Sequence, residues 1–164
     1  MVVGGAGVSA VTLLRRATRP VTCALRCGVV LPLQQSCPCG SATPYDACCG
    51  RLHRGAAQAA TAEELMRSRY AAYAVGDADH LFRTWHPRTR PPEPATQAEG
   101  GLTWLGLEVL ATQAGGPDDE TGEVEFRARY RAGAVTGVLH ERSRFVRRAG
   151  RWVYLDGDHD ADQG

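Results

Sequence analysis

Glu123-Val124-Glu125-Phe126-Arg127-Ala128-Arg129-Tyr130-Arg131 alternates charged and apolar residues over nine positions without a break. Successive side chains of a strand point to opposite faces, so the run predicts an antiparallel strand with Val124, Phe126, Ala128 and Tyr130 against a core and the charges in water. On the solvated face Glu123 and Glu125 accompany Arg127, Arg129 and Arg131, which reads as self-neutralising and not as a stripe for an acidic partner. Upstream, Leu105, Leu107 and Val109 alternate with Gly106 and Glu108; downstream, Val135 to Val146 and Trp152 to Asp156 supply two more strands. Gly115-Gly116-Pro117-Asp118, Ala132-Gly133 and Ala149-Gly150 are the turns between them.

Before the strands the period changes. Thr61 is placed to cap a helix, with Glu64 three residues on to complete a capping box, and Leu65, Met66, Tyr70, Tyr73 and Ala74 recur at helical spacing. Gly76 is a natural stop. Asp77 then caps a shorter helix through Leu81, Phe82 and Trp85, ended by Pro87. The stretch from Arg88 to Gly101, with Pro91, Pro92 and Pro94, is a loop or a short turn of helix. Helices followed by four antiparallel strands predict an α+β domain in which a curved sheet wraps the helices.

A different chemistry precedes the helices. Ser36-Cys37-Pro38-Cys39-Gly40-Ser41-Ala42-Thr43-Pro44-Tyr45-Asp46-Ala47-Cys48-Cys49-Gly50 holds four cysteines in thirteen residues. Four soft thiolates in so short a loop suit a tetrahedral zinc, and a site with four protein ligands leaves no open position, which makes the metal structural. A disulfide framework fits less well, because adjacent cysteines bridge poorly and the chain reads as intracellular. His53 is a competing ligand, in a site that would use Cys48 and spare Cys49. Cys23 and Cys27 read as bystanders.

All nineteen basic residues are arginine, against eighteen acidic residues, for a net charge of +1 over 164 residues. The absence of lysine excludes Schiff-base chemistry and a P-loop lysine. Residues 1–35 carry Arg15, Arg16, Arg19 and Arg26 and no acid, and read as a disordered leader, either a mis-started extension or a transit peptide. From Ser36 onward fifteen arginines face eighteen acids, a net charge of −3, which speaks against nucleic acid as a partner. No apolar run reaches the roughly 18 residues of a membrane span, so no membrane role is expected and the setting reads as cytoplasmic.

Cys37-Pro38-Cys39-Gly40-Ser41 followed by Cys48-Cys49-Gly50 resembles the SEC-C motif found at the tail of the SecA translocation ATPase and in many small bacterial proteins. The resemblance extends to the YchJ-like family through Leu65-Met66-Arg67-Ser68-Arg69-Tyr70, Asp77-Ala78-Asp79, Thr84-Trp85-His86-Pro87, Trp104-Leu105-Gly106-Leu107, Glu141-Arg142-Ser143-Arg144-Phe145 and Tyr154-Leu155-Asp156-Gly157. It implies one structural Zn2+ per chain on Cys37, Cys39, Cys48 and Cys49, and an NTF2-like (cystatin-like) cone after the knuckle. The implied organisation is a zinc knuckle at 36–54, an NTF2-like domain at 60–158 and a tail at 159–164.

Within the cone, Glu141 falls on the inward side of its strand with Val135, Leu139, Ser143 and Phe145. Buried without a partner a carboxylate is costly, so an Arg or Tyr is expected opposite it. Glu141, His86 and Asp156 are the weak catalytic candidates, and Tyr73, His86, Trp104, Glu141, Tyr154 and Asp156 the candidate pocket. No nucleophile elbow, phosphate loop or histidine metal triad accompanies them. The leading expectation is a binding or adaptor module for a protein or ribosome-associated partner, suggested by the SecA-like knuckle. The alternative is a small-molecule-binding protein or enzyme using the cone. A cavity converging on polar groups favours the second, and a cone filled by side chains favours the first.

Overall fold

The computed structural model describes residues 36–92 and 101–160. The leader at 1–35 with Cys23 and Cys27, most of the proline-rich loop and the tail beyond Asp160 lie outside the described residues. A 3-10 turn at Tyr45–Ala47 and a short helix α1 (Cys49–His53) form the knuckle; helices α2 (Ala62–Val75) and α3 (Ala78–Arg83) follow. Strands β1 (Leu102–Ala114), β2 (Thr121–Ala132), β3 (Val135–Arg148) and β4 (Arg151–Asp160) make one antiparallel sheet in the order β1-β2-β3-β4.

Local chemistry sets the helix ends. The Thr61 hydroxyl accepts from the N–H of Glu64 at 3.1 Å, and the Glu64 carboxylate turns back to the N–H of Ala60 at 2.6 Å, a capping box displaced by one residue. Gly76 takes the left-handed conformation, φ 80°, that closes α2. Asp77 then accepts from the N–H of His80 at 2.9 Å to open α3. The second helix ends at Arg83, short of the expected Trp85, because residues 84–86 leave to pair with β4. The N–H of Tyr154 donates to the carbonyl of Thr84 (2.8 Å), and the N–H of His86 donates to the carbonyl of Tyr154 (2.7 Å).

Packing is two-sided around α2. Leu65, Met66 and Tyr70 join Val124, Phe126, Ala128, Phe145, Trp152 and Tyr154 in the main core beneath the sheet. Ala71, on the other side of the helix, is fully buried against Cys37, Cys39 and Cys49. The one-sided amphipathic helix read from spacing is therefore buried on both sides, and Ser68, Arg69 and Ala72 are covered as well.

Bulges modify the alternation. Leu105 is unpaired between Trp104 and Gly106, so Trp104 packs inward with Leu107 and Val109 while Leu105 is 45% exposed. In β4, Tyr154 pairs with Phe145 and Asp156 with Arg144, which leaves Leu155 as the extra residue and reverses the faces beyond it. Strand β2 keeps the expected alternation, with Val124, Phe126 and Ala128 buried and Arg127, Arg129 and Arg131 exposed.

Candidate functional site

Two constellations stand out, one on either side of α2. The first is the knuckle. The Sγ atoms of Cys37, Cys39, Cys48 and Cys49 all lie within 4.8 Å of one another. Cys39 and Cys48 are 3.6 Å apart, Cys48 and Cys49 3.9 Å, far beyond a disulfide and close to the roughly 3.8 Å edge of a tetrahedron with metal–sulfur bonds of about 2.3 Å. Three of the four cysteines are buried, with Cys39 fully so. Crowding sets the thiols against one another. The Cys39 thiol is pulled down to about 4, first by its hydrogen bond with Cys49, while that same bond and burial push Cys49 far up and burial raises Cys37. A divalent cation removes the conflict by stabilising all four thiolates together. The residues therefore fit a metal ion.

His53 does not join the cluster. One ring nitrogen faces the Tyr45 hydroxyl at 2.7 Å and the other the Ser68 carbonyl at 2.8 Å, so both are engaged away from the cysteines. Arg67 of α2 adds a tie by donating to the Cys39 carbonyl at 3.1 Å, and Arg83 of α3 donates to the His53 carbonyl at 2.8 Å. The knuckle is thereby fastened to α2, which lines the cone, and to α3.

The second constellation is a cavity of about 320 Å³ between α2 and the sheet. Tyr73, Trp104, Glu141 and Tyr154 of the expected pocket all line it, together with Tyr70, Trp85, Phe126 and Phe145. Trp104 is the centre of an aromatic wall, with ring centroids 5.6 Å from Tyr70 and 6.1 Å from Tyr73. Glu141 is 7% exposed and has the tyrosine partner that its burial demands. Its Oε1 accepts from the Ser143 hydroxyl at 2.5 Å and from the Tyr154 hydroxyl at 3.0 Å, and its Oε2 faces Nδ1 of His159 at 3.3 Å. Burial, and then the neighbouring carboxylate, push the Tyr154 phenol far up, so it stays protonated and donates.

His86 and Asp156 are elsewhere. His86 is buried in the turn after α3, where Nδ1 accepts from the N–H of Arg88 at 3.2 Å, and it does not line the cavity. Asp156 lies on the outer face, paired with Nε of Arg144 at 2.5 Å, because the bulge at Leu155 turns it away from the core. Neither is placed to work with Glu141.

Arg69 and His159 are pocket residues that strand and helix patterns did not single out. Arg69 falls between Met66 and Tyr73 at helical spacing, and an arginine on that apolar side was the available signal. It is 6% exposed, and its guanidinium carbon lies 4.9 Å and 4.6 Å from the ring centroids of Trp85 and Tyr154. Burial pulls its pKa down, opposed by the neighbouring Tyr73, Tyr154 and Glu141.

Comparison with known proteins follows the same division. Residues 61–157 match the family model described as YchJ, middle NTF2-like domain. A UPF0225 protein of Streptomyces coelicolor is 55% identical over 122 residues, 74% of this chain and 94% of that protein. One from Cupriavidus pinatubonensis is 52% identical over 132 residues, 74% of this chain and 87% of that protein. Among solved structures, a SEC-C motif containing protein from Rhodopseudomonas palustris matches with TM-score 0.68 and 39% identity, covering 76% of this chain and 98% of that one. A second SEC-C motif containing protein, from Psychrobacter arcticus, matches with TM-score 0.61 and 28% identity, covering 79% and 85%.

Proposed function

The chain belongs to the YchJ-like family, with a SEC-C-type cysteine knuckle ahead of an NTF2-like domain, and from that premise we propose that it is a zinc-stabilised small-molecule-binding protein. The observation that carries this reading is the cavity of about 320 Å³, walled by aromatic rings and supplied with Arg69 and Glu141. Small-molecule sites are concave, mostly apolar and carry a few polar groups that fix orientation, and their volumes start at about 300 Å³. A cone packed solid would have favoured the adaptor role through the knuckle; an open, polar-tipped one favours a ligand. The role we read is binding, because Glu141 is already engaged by the Ser143 and Tyr154 hydroxyls and by Nδ1 of His159.

The knuckle's part is structural. Zinc suits a closed set of four thiolates, and reduced thiols suit a cytoplasmic setting. Elemental analysis of the purified protein is expected to return one zinc per chain. Fragment screening by amide chemical shifts is expected to move resonances of residues 66–73 and 139–145 together. Shifts confined to the outer face of the sheet, or none, would refute the ligand reading.

A further inference from the structure

The cavity is supplied with hydrogen-bond donors and short of acceptors. Nη1 of Arg69 donates to the Leu81 carbonyl at 3.0 Å and to the Thr84 hydroxyl at 2.9 Å, which fixes the guanidinium in place. Its Nε and Nη2 have no hydrogen-bond partner among the described residues. The indole N–H groups of Trp85 and Trp104, two other residues of the wall, are buried and unpartnered too. Among the described residues Arg69 forms no ion pair. Glu141, the carboxylate of the same cavity, is committed to Ser143, Tyr154 and His159.

A buried cation needs an anion close by, and ring faces such as those of Trp85 and Tyr154 compensate a guanidinium only in part. The geometry points to an aromatic carboxylate as the ligand, with its carboxylate on the free edge of Arg69 and its ring against Tyr70, Tyr73 and Trp104. This rests on the cone being a ligand pocket, and adds the sign of the ligand's charge and its shape. The free Nε–Nη2 edge is the side of a guanidinium that grips a carboxylate with two parallel hydrogen bonds. A single arginine beside the Glu141 carboxylate suits a monoanion and not a phosphate dianion. At about 320 Å³ the space suits one ring with a short arm.

Trp85 and Trp104 report on the cavity directly, so the test is a fluorescence titration of the full zinc-loaded chain with three probes of one shape: 3-phenylpropionate, 3-phenylpropan-1-ol and 3-phenylpropylamine. The acid is expected to bind about tenfold or more tightly than the alcohol, with the amine weakest. In Arg69→Gln the acid should lose that advantage, and in Arg69→Lys, which keeps the charge without the fork, it should retain a preference over the amine. Alcohol equal to acid, or amine best, overturns the carboxylate assignment and leaves the pocket reading intact. Failure of all three to give a saturable signal overturns both. The ranking on the native protein decides the matter even where a variant does not fold.

Discussion

The hydroxyl of Tyr45 lies 2.7 Å from Nδ1 of His53. The opposite nitrogen, Nε2, must donate, because its partner 2.8 Å away is the Ser68 carbonyl oxygen. Nδ1 faces the Tyr45 hydroxyl and, at 3.5 Å, Oδ2 of Asp77, so the ring is a bridge from the cysteine loop to α2. His53→Ala leaves the Tyr45 hydroxyl and the buried Ser68 carbonyl without this partner. The expected loss is about 1–3 kcal/mol in urea denaturation, with faster zinc release to a chelator.

Cys48→Ser is expected to leave the protein without stoichiometric zinc after dialysis against a chelator. Stripping wild type should loosen the 36–54 segment to hydrogen exchange and lower the melting temperature while the four-stranded sheet persists. Because the thiols must lose protons to bind, zinc affinity should fall as the pH is lowered. Retention of one zinc by C48S would remove Cys48 from the ligand set.

Gly157 pairs across the ladder from Ser143 and lies against the Glu141 side chain. A methyl group there would come 2.9 Å from the Glu141 carboxyl carbon and closer still to Oε1. Gly157→Ala should therefore push Glu141 off the Tyr154 and Ser143 hydroxyls and cost about 1–3 kcal/mol, read by chemical denaturation. An unchanged midpoint would mean that the carboxylate moves freely.

His80 gives the fold an acid-sensitive element. It is 3% exposed, and burial, followed by His53, Arg83 and Arg69, pulls it from an ordinary value of 6.5 to about 3. Ser68 donates its hydroxyl proton to the Leu65 carbonyl, so Nε2 of His80 donates to the Ser68 oxygen at 2.9 Å and Nδ1 is left unprotonated. Between pH 6.5 and 3 the unfolded chain binds a proton at this position that the folded chain does not. Stability from this group is thus complete above pH 6.5 and falls as the pH drops, by up to about 1.4 kcal/mol per unit. His80→Gln should flatten that slope in unfolding curves measured from pH 7 to 5.

The parts legible in the sequence were those set by neighbours along the chain. Thr61 with Glu64 and Asp77 with His80 are local caps, and the β2 alternation needs only the pleat. The cysteine spacing likewise closes within one short loop. Interactions between distant segments were hidden. Nothing near Trp85 announces that residues 84–86 pair with β4 and cut α3 short. Period-two reading assumes a regular ladder, so the bulges at Leu105 and Leu155 displaced Leu105 and Asp156 from their expected faces. Arg69 escapes a reading by pattern because an arginine beside tyrosines reads as a long side chain reaching for solvent, and only the folded cone shows that it reaches a cavity.

Leu155 makes β4 one residue longer than its partner requires. Removing it would let Tyr154 and Asp156 follow one another as a regular pleat, Tyr154 still against Phe145 and Asp156 still against Arg144. Every later side chain keeps its face. A strand ordinarily answers a change of length by turning itself inside out, but in β4, at the end of the sheet order, one such change is already absorbed. The strand can shorten at that point and still present the same residues to the cone, so length variation in this sheet has a place to occur without rewriting the pocket.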